Sequence, residues 1–496
     1  MRKIIDDQMI IGEVDISSIK FDLKSRDEIP KLLMGLQSVY CNKEIRSKVF
    51  KELKNTIPKK ISKTTGRPGM ELWKILVLGT LRLNCNWDFD KLKEMADNHA
   101  TLREMLGHVK WFDTKEYALQ TLKDNISLFT PEVLDKINTI VVDYGHSLKK
   151  KVEKLKGRCD SFVVESNVHY PTDTNLLFDA VRKSVFLTAD LFKKHKISTW
   201  RQSKSMIQKL KNNLRKFQKM RHSNSKDEPT KQKRKDEIKA VCKNYANQAE
   251  TLLNRVLGDI EKIREKGTNI KLESALADII KFTDYGERLV DLIIRRVVNE
   301  EKIPHEEKFF SIFEEYTEWI SKGKAGVPQE LGLKVCIIED QFGFILNHRI
   351  MQNEVDSDIT VSFTEETRKL FPKLKSCSYD KGFWKPENRE FLNTIIDMVI
   401  LPKKGKLSQK DKDIEFSDEF KSARKKHSAV ESGINALENH GLDRCPDKGI
   451  RAFRRYISLA VLARNLQILG DIIQQKEAKK KKRFEEMKQV KRKQAA

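Results

Sequence analysis

Asp160-Ser161-Phe162-Val163-Val164-Glu165-Ser166-Asn167 is the stretch on which the fold turns. Its residues alternate in character, so a strand is expected over 158–166, with Asp160, Phe162 and Val164 on one face and Ser161, Val163 and Glu165 on the other. An acidic residue in an apolar strand is costly to bury unless a positive charge answers it. Two other acidic residues have comparable surroundings. Asp380 closes a strand read over 375–379 and is followed by Gly382, which permits a sharp exit. Glu431 lies in a helix read over 416–439, where Arg424, His427, Glu431 and Glu438 form one stripe and Phe420, Val430, Ile434 and Leu437 an apolar side. Glu431 can therefore edge the core and reach toward the sheet. Two carboxylates ~4 Å apart repel by about 4 kcal/mol at an effective dielectric of 20. Three would need cations, and hard oxygen ligands favour Mg²⁺, with Mn²⁺ as a substitute, over zinc. Two such ions ~3.5–4 Å apart are the arrangement that carries phosphoryl transfer.

The rest of the composition is basic. Lys and Arg total 97 against 72 Asp and Glu, a net charge of +25 over 496 residues. Such an excess favours a polyanionic partner held in a salt-sensitive way, nucleic acid first. Positive charge is densest over 201–240, at roughly +10, and in the tail from 475 onward. The seven cysteines stand singly at 41, 85, 159, 242, 336, 377 and 445. That pattern argues against a zinc site or a disulfide framework and fits a reducing cytoplasm. The N-terminal residues are too polar for a signal peptide, and no uninterrupted apolar run approaches the ~20 residues of a membrane span.

Along the chain, residues 26–56 read as one amphipathic helix. A turn at Gly66-Arg67-Pro68-Gly69 precedes a mostly buried helix through Leu72, Ile75, Leu76, Leu78 and Leu81, then two short helices over 88–96 and 101–106. Three helices after a basic turn suit either a helix-turn-helix DNA reader or a small packing domain. After the first strand, 169–173 forces a loop, and Thr174 is placed to cap a helix over 175–185. Residues 195–320 read as nearly all helix, with a coiled-coil-like stripe through Ile238, Cys242, Tyr245, Ala249, Leu252, Val256, Ile260 and Ile263 and a polar loop at 223–230. Strands follow at 333–338 and 342–350 about a turn at Glu339-Asp340-Gln341, then the strand before Asp380, a helix over 386–395 and a buried strand over 397–401. A mobile basic loop is expected at 403–412, a helix over 456–473 and a frayed tail beyond. The domains expected are 1–150, helical and DNA-binding; 151–195 and 321–474, two parts of a mixed α/β core; 196–320, a basic helical insertion; and 475–496, a basic tail.

Several of these segments resemble the DDE transposases of bacterial insertion sequences, specifically the ISNCY group. The matching pieces are 66–76 (GRPGMELWKIL), 160–173 (DSFVVESNVHYPTD), 323–328 (GKAGVP), 380–388 (DKGFWKPEN) and 427–442 (HSAVESGINALENHGL). The resemblance implies an α/β plus α protein with an RNase H-like catalytic core in which Asp160, Asp380 and Glu431 hold two Mg²⁺ ions. It implies cleavage at transposon ends and strand transfer into target DNA, by a homodimer on double-stranded DNA in a bacterial, nucleoid-associated cytoplasmic setting. Related families carry Tyr, Arg and Lys around the catalytic glutamate where this chain has Arg424, His427 and Glu438. The DNA-phosphate contacts are thereby rearranged, and Arg424, Lys425, Lys426, His427 and Arg444 are the candidate substitutes. Trp384 is placed either to stack a base or to pack in the core. Asn167 and His169 are candidate partners of the metal ligands, Glu165 and Asp173 are further acidic candidates, and Asp340 is the rival to Asp380. A metal-dependent nuclease without strand transfer and a catalytically inactive DNA-binding regulator are the alternatives in function.

Overall fold

The computed structural model describes residues 3–5, 12–57, 69–109, 113–149, 152–221, 228–265, 269–321 and 329–494. The residues 66–68 and 323–328, which carry part of the resemblance, lie outside the described residues, as does most of the polar loop at 223–230. The chain forms two compact units: Met1–Asn167 with Ile320–Ala496, and Val168–Trp319.

The first unit holds a mixed seven-stranded sheet. Its strands are β1 (Leu155–Ser166), β2 (Glu318–Ser321), β3 (Gln329–Glu339), β4 (Ile345–Met351), β5 (Leu374–Tyr379), β6 (Met398–Ile400) and β7 (Arg444–Cys445). The strand of Asp160 is central. On one side β3 runs antiparallel to it, with Asp160 opposite Ile337. On the other, β5 runs parallel, with Cys159 opposite Tyr379. Outside these, β4 is antiparallel to β3 and β6 parallel to β5. Strand β2 also pairs with β3, and β7 runs parallel to the far end of β1. The parallel steps need crossovers, supplied by the helices Asp356–Leu370 and Pro386–Ile395. Cys159, Cys336, Cys377, Tyr379, Phe363 and Phe383 lie in the core beneath β1 and β5.

Asp340 organises the β3–β4 turn. Fully buried, it accepts hydrogen bonds from the amides of Phe342 and Phe344 at 2.8 and 3.0 Å and meets His146 Nε2 at 2.6 Å. Gly343, at φ +88°, closes the loop. The expected single helix at 26–56 is two, Glu28–Cys41 and Lys43–Lys54, broken at Asn42, whose side chain caps the second by accepting from Ile45 N. Leu72–Asn84 is buried at every residue except Lys74. Two helices not expected from the sequence, Leu119–Ile126 and Pro131–Ser147, complete this region. The helix expected at 456–473 runs from Ile450 to Gln494 and takes in the tail expected to fray. Its apolar window, long enough to cross a membrane, is 83% buried inside the protein. The expected loop at 403–412 contains the start of a helix, Gln409–Glu415, nucleated by a reciprocal cap between Ser408 and Asp411.

The second unit packs Asp173–Lys194, Ser203–Arg221, Glu228–Arg264 and Ile270–Ile293 around one apolar core. Cys242, Tyr245, Ala249, Leu252, Val256, Ile260 and Ile263 are all buried along the expected stripe. The cap of the first helix is Thr172, not Thr174: its hydroxyl accepts from Asn175 N, and the helix extends nine residues past the expected end. Two buried polar groups are answered across helices, Trp200 Nε1 donating to Asp259 at 3.0 Å and Ser184 meeting Thr283 at 2.7 Å.

Candidate active site

The register of β1 with β5 fixes the first two carboxylates. Arg158 lies opposite Ser378 and Cys159 opposite Tyr379, so the next step brings Asp160 beside Asp380 across a strand spacing of ~4.8 Å. The strand ends there. Asp380 opens a short 3-10 turn, Lys381–Phe383, which the buried Phe383 anchors in the core. Glu431 arrives from another direction. The helix expected at 416–439 breaks at Ser428 into Asp418–His427 and Ala429–Leu437. The second piece packs on the sheet through Val430, Gly433, Ile434 and Leu437 and leaves Glu431 exposed. Gly433 permits the approach, because a Cβ there would stand 2.0 Å from Glu339 Oε2. Asp160 and Glu431 line one cavity of about 470 Å³ with Lys334, Asn435 and Glu438.

Burial pushes the Asp160 carboxyl up to about 6, and the charges of Asp380, Asp356 and Glu431 add to it. The Ser161 amide, donating at 2.8 Å, opposes the rise. Asp380 is more than half exposed and has Arg424 Nη2 3.8 Å from its Oδ1. The other terminal nitrogen, Arg424 Nη1, is buried with no hydrogen-bond partner. His427 Nδ1 is 2.9 Å from Ser378 Oγ. Burial and the neighbouring Arg424 charge hold this imidazole down to about 4, so it is neutral near pH 7.

As they stand, the three carboxylates do not close on a single ion: among the described residues no group of three or more His, Cys, Asp or Glu side chains is placed to hold a metal. The donor set still fits a hard divalent cation. It is all carboxylate, Asp160 is raised by burial and further by its acidic neighbours, and the nearby Asp356 has a buried Oδ1 without a partner.

The other residues singled out in the sequence are scattered. Lys425 and Lys426 are exposed on the helix of Arg424. Lys426 lines a second cavity, of about 440 Å³, with Lys154, Lys156, Arg158 and Lys375. Trp384 is half-buried against the core, with the Arg389 guanidinium 5.6 Å from its ring centroid. Arg444 pairs opposite Glu165, five residues and ~17 Å along β1 from Asp160. Asn167 is exposed past the end of the same strand, ~23 Å away by the same measure. His169 belongs to the second unit, its Nε2 3.7 Å from Asp179. Asp173, also there, pairs with Arg296 at 2.6 Å. Asp340 is committed to its turn, and Glu339, pushed up to about 7 by burial, accepts from Arg158 Nη1 at 2.8 Å.

Sequence reasoning missed Lys334 and Asp356. Lys334 Nζ lies 3.0 Å from Asp356 Oδ2, and Asp356 opens the helix Asp356–Leu370. An acidic residue in a first helical turn was the available signal, obscured by the β-branched run Ile359-Thr360-Val361. Comparison of the chain with family models, with curated proteins and with solved structures finds no match.

Proposed function

We propose that this chain is a divalent-metal-dependent DNA phosphoryl transferase of the DDE transposase type, built on an RNase H-like core. One observation carries the reading: Asp160 and Asp380 come side by side on neighbouring parallel strands, and Glu431 lines the same cavity as Asp160. The mixed sheet, centred on β1 with β3 antiparallel and β5 parallel to it, supports the core assignment. Asp160, Asp380 and Glu431 would hold Mg²⁺. Two such ions supply activation of water or a 3′-hydroxyl and stabilisation of the leaving oxygen.

The chain's own residues position the DNA. The buried, unpartnered Nη1 of Arg424 is a donor suited to a phosphate oxygen beside Asp380. His427, neutral and tied to Ser378, adds no charge there and fixes the helix end against β5. Lys426 and the lysines of the second cavity continue the positive surface along β1 and β5. Joining two DNA ends calls for two active sites, hence a dimer on DNA.

The test uses labelled DNA from the flanks of the coding region, with Mg²⁺, the purified chain and its Asp160→Asn variant. Cleaved and joined product from the wild type alone supports transposition. Hydrolysis without joining indicates a nuclease, and binding without cleavage, unchanged in Asp160→Asn, indicates a DNA-binding regulator.

A further inference from the structure

We propose that the helix Ser203–Arg221 of the second unit enters the major groove of double-stranded DNA, its midline reading base edges through Ser205, Gln208 and Asn212 and its flanks holding the phosphates. The inference rests on the reading above for DNA as the partner and deepens it by naming the surface that selects the sequence.

Charge singles this helix out. It carries seven Lys and Arg and no Asp or Glu. Lys211, Arg215 and Lys219 follow one another at four-residue steps, and like charges so spaced destabilise a helix unless a counter-charge answers them. Lys204, Lys209, Lys211, Arg215, Lys216 and Lys219 are all exposed, and among the described residues no carboxylate pairs with any of them. The next basic stretch differs. There Lys235 and Lys239 both reach Glu300 at 2.6 Å, and Asp236 and Glu237 stand between them. A phosphate backbone supplies the counter-charge that the first helix lacks.

Geometry assigns the parts. Ile207, Leu210, Leu214 and Phe217 are buried in the core of the second unit. At ~100° per residue, Ser205, Gln208 and Asn212 fall opposite that stripe, and all three are exposed. By the same measure Lys204, Lys211 and Arg215 lie on one side of this midline and Lys209 and Lys216 on the other. A helix about 10–12 Å across fits a groove about 12 Å wide, with a phosphate wall along each row of cations. On the midline Gln208 Nε2 donates to Asn212 Oδ1 at 3.1 Å. That leaves an acceptor on Gln208 and a donor on Asn212, the pair that matches the amino group and N7 of adenine. At one flank Lys211 and Arg215 line a cavity of about 250 Å³ with His169, Asn175 and Gln218, room for a phosphate group, and Asp179 on its wall is held by Arg182 at 2.7 Å. Every exposed residue of the helix is polar. It therefore offers neither an apolar anchor for a lipid surface nor an aromatic ring to stack an unpaired base.

The test is fluorescence anisotropy of the full chain, without metal, on two DNA duplexes: one enriched by the wild type from a randomised pool, the other its scrambled counterpart. Circular dichroism confirms that each variant is folded. Expected is a preference for the enriched duplex that falls at least about fivefold when Gln208→Ala and Asn212→Ala are combined, with affinity for the scrambled duplex unchanged. Lys211→Ala with Lys216→Ala should weaken both duplexes alike and lower the salt slope by about 2. Duplex RNA of the enriched sequence, whose major groove is too deep and narrow for side chains to read, should compete poorly. A preference that survives loss of both amides, a pool that yields no enriched sequence, or equal competition by duplex RNA overturns groove reading by this helix. An unchanged salt slope in the lysine variant removes the helix from DNA altogether. Each of these results leaves the metal-site reading standing. Failure of the wild type to bind any duplex would overturn DNA as the partner, and this inference with it.

Discussion

Asp160 keeps its proton to about pH 6 in the folded chain against an ordinary 3.8, because it is buried and faces other carboxylates. Between those values the folded protein binds more protons than the unfolded one. Stability therefore falls as pH rises from about 3.8 through about 6 and levels off above. The shift corresponds to at most about 3 kcal/mol. Asp160→Asn is expected to raise unfolding stability at pH 7 by ~1–3 kcal/mol in a denaturant titration, to give little gain at pH 4, and to abolish metal-dependent DNA cleavage. Arg424 and Arg444 make a second contrast at this scale. Arg424, with its unpartnered nitrogen beside Asp380, should weaken DNA binding when replaced by Ala and reduce the salt slope by about 1. Arg444→Ala, at the far end of β1, should leave binding at the site unchanged. A fluorescence-anisotropy titration at several salt concentrations checks both.

Among the elements, β1 and β3 come closest at Gly332, where an added Cβ would lie 2.0 Å from the Val164 carbonyl oxygen. Backbone cannot yield as a side chain can, so Gly332→Ala should lower stability by about 1–3 kcal/mol, read as a drop in melting temperature. Most strands were legible, but β2 and β7 went unread, and residues 299–320, included in the stretch expected to be nearly all helix, hold no α-helix. Alternation around Asp160 located β1 to within three residues, and the apolar run before Asp380 located β5 to within one. Breaks were not legible where periodicity continues across them. Asn42 and Ser428 interrupt helices without disturbing the apolar stripe, and only backbone geometry shows the turn. Pro131–Ser147 went unread although Thr130, Pro131 and the spacing of Val133, Leu134, Ile137 and Val141 announce it. For the candidate site, local settings singled out the three carboxylates among many acidic residues, but spacing alone left each equally a surface or capping acid, and their shared role rested on the family resemblance. Asp356 and Lys334 are adjacent only through the β3–β4 hairpin and the helix after it, a proximity that no spacing encodes.

At the scale of the whole chain, the second unit has a core of its own, from Leu176 to Ile312. A fragment spanning 168–319 should therefore fold alone and melt in one cooperative transition by circular dichroism. With a net charge of +25, the intact protein should lose nonspecific DNA affinity by about a thousandfold between 50 and 200 mM salt. The first unit behaves differently, because its N-terminal helix closes on its C-terminal one. A Cβ on Gly35 would lie 2.1 Å from the Leu466 carbonyl oxygen, and one on Gly470 1.8 Å from that of Lys31. Two backbones in such contact leave no room for a substitute partner. During synthesis, then, the helix Glu28–Cys41 waits for the one that begins at Ile450 before its apolar face is covered. A premature stop anywhere upstream of that crossing leaves the nascent protein with an open flank, a substrate for proteases and chaperones in place of a shorter folded protein.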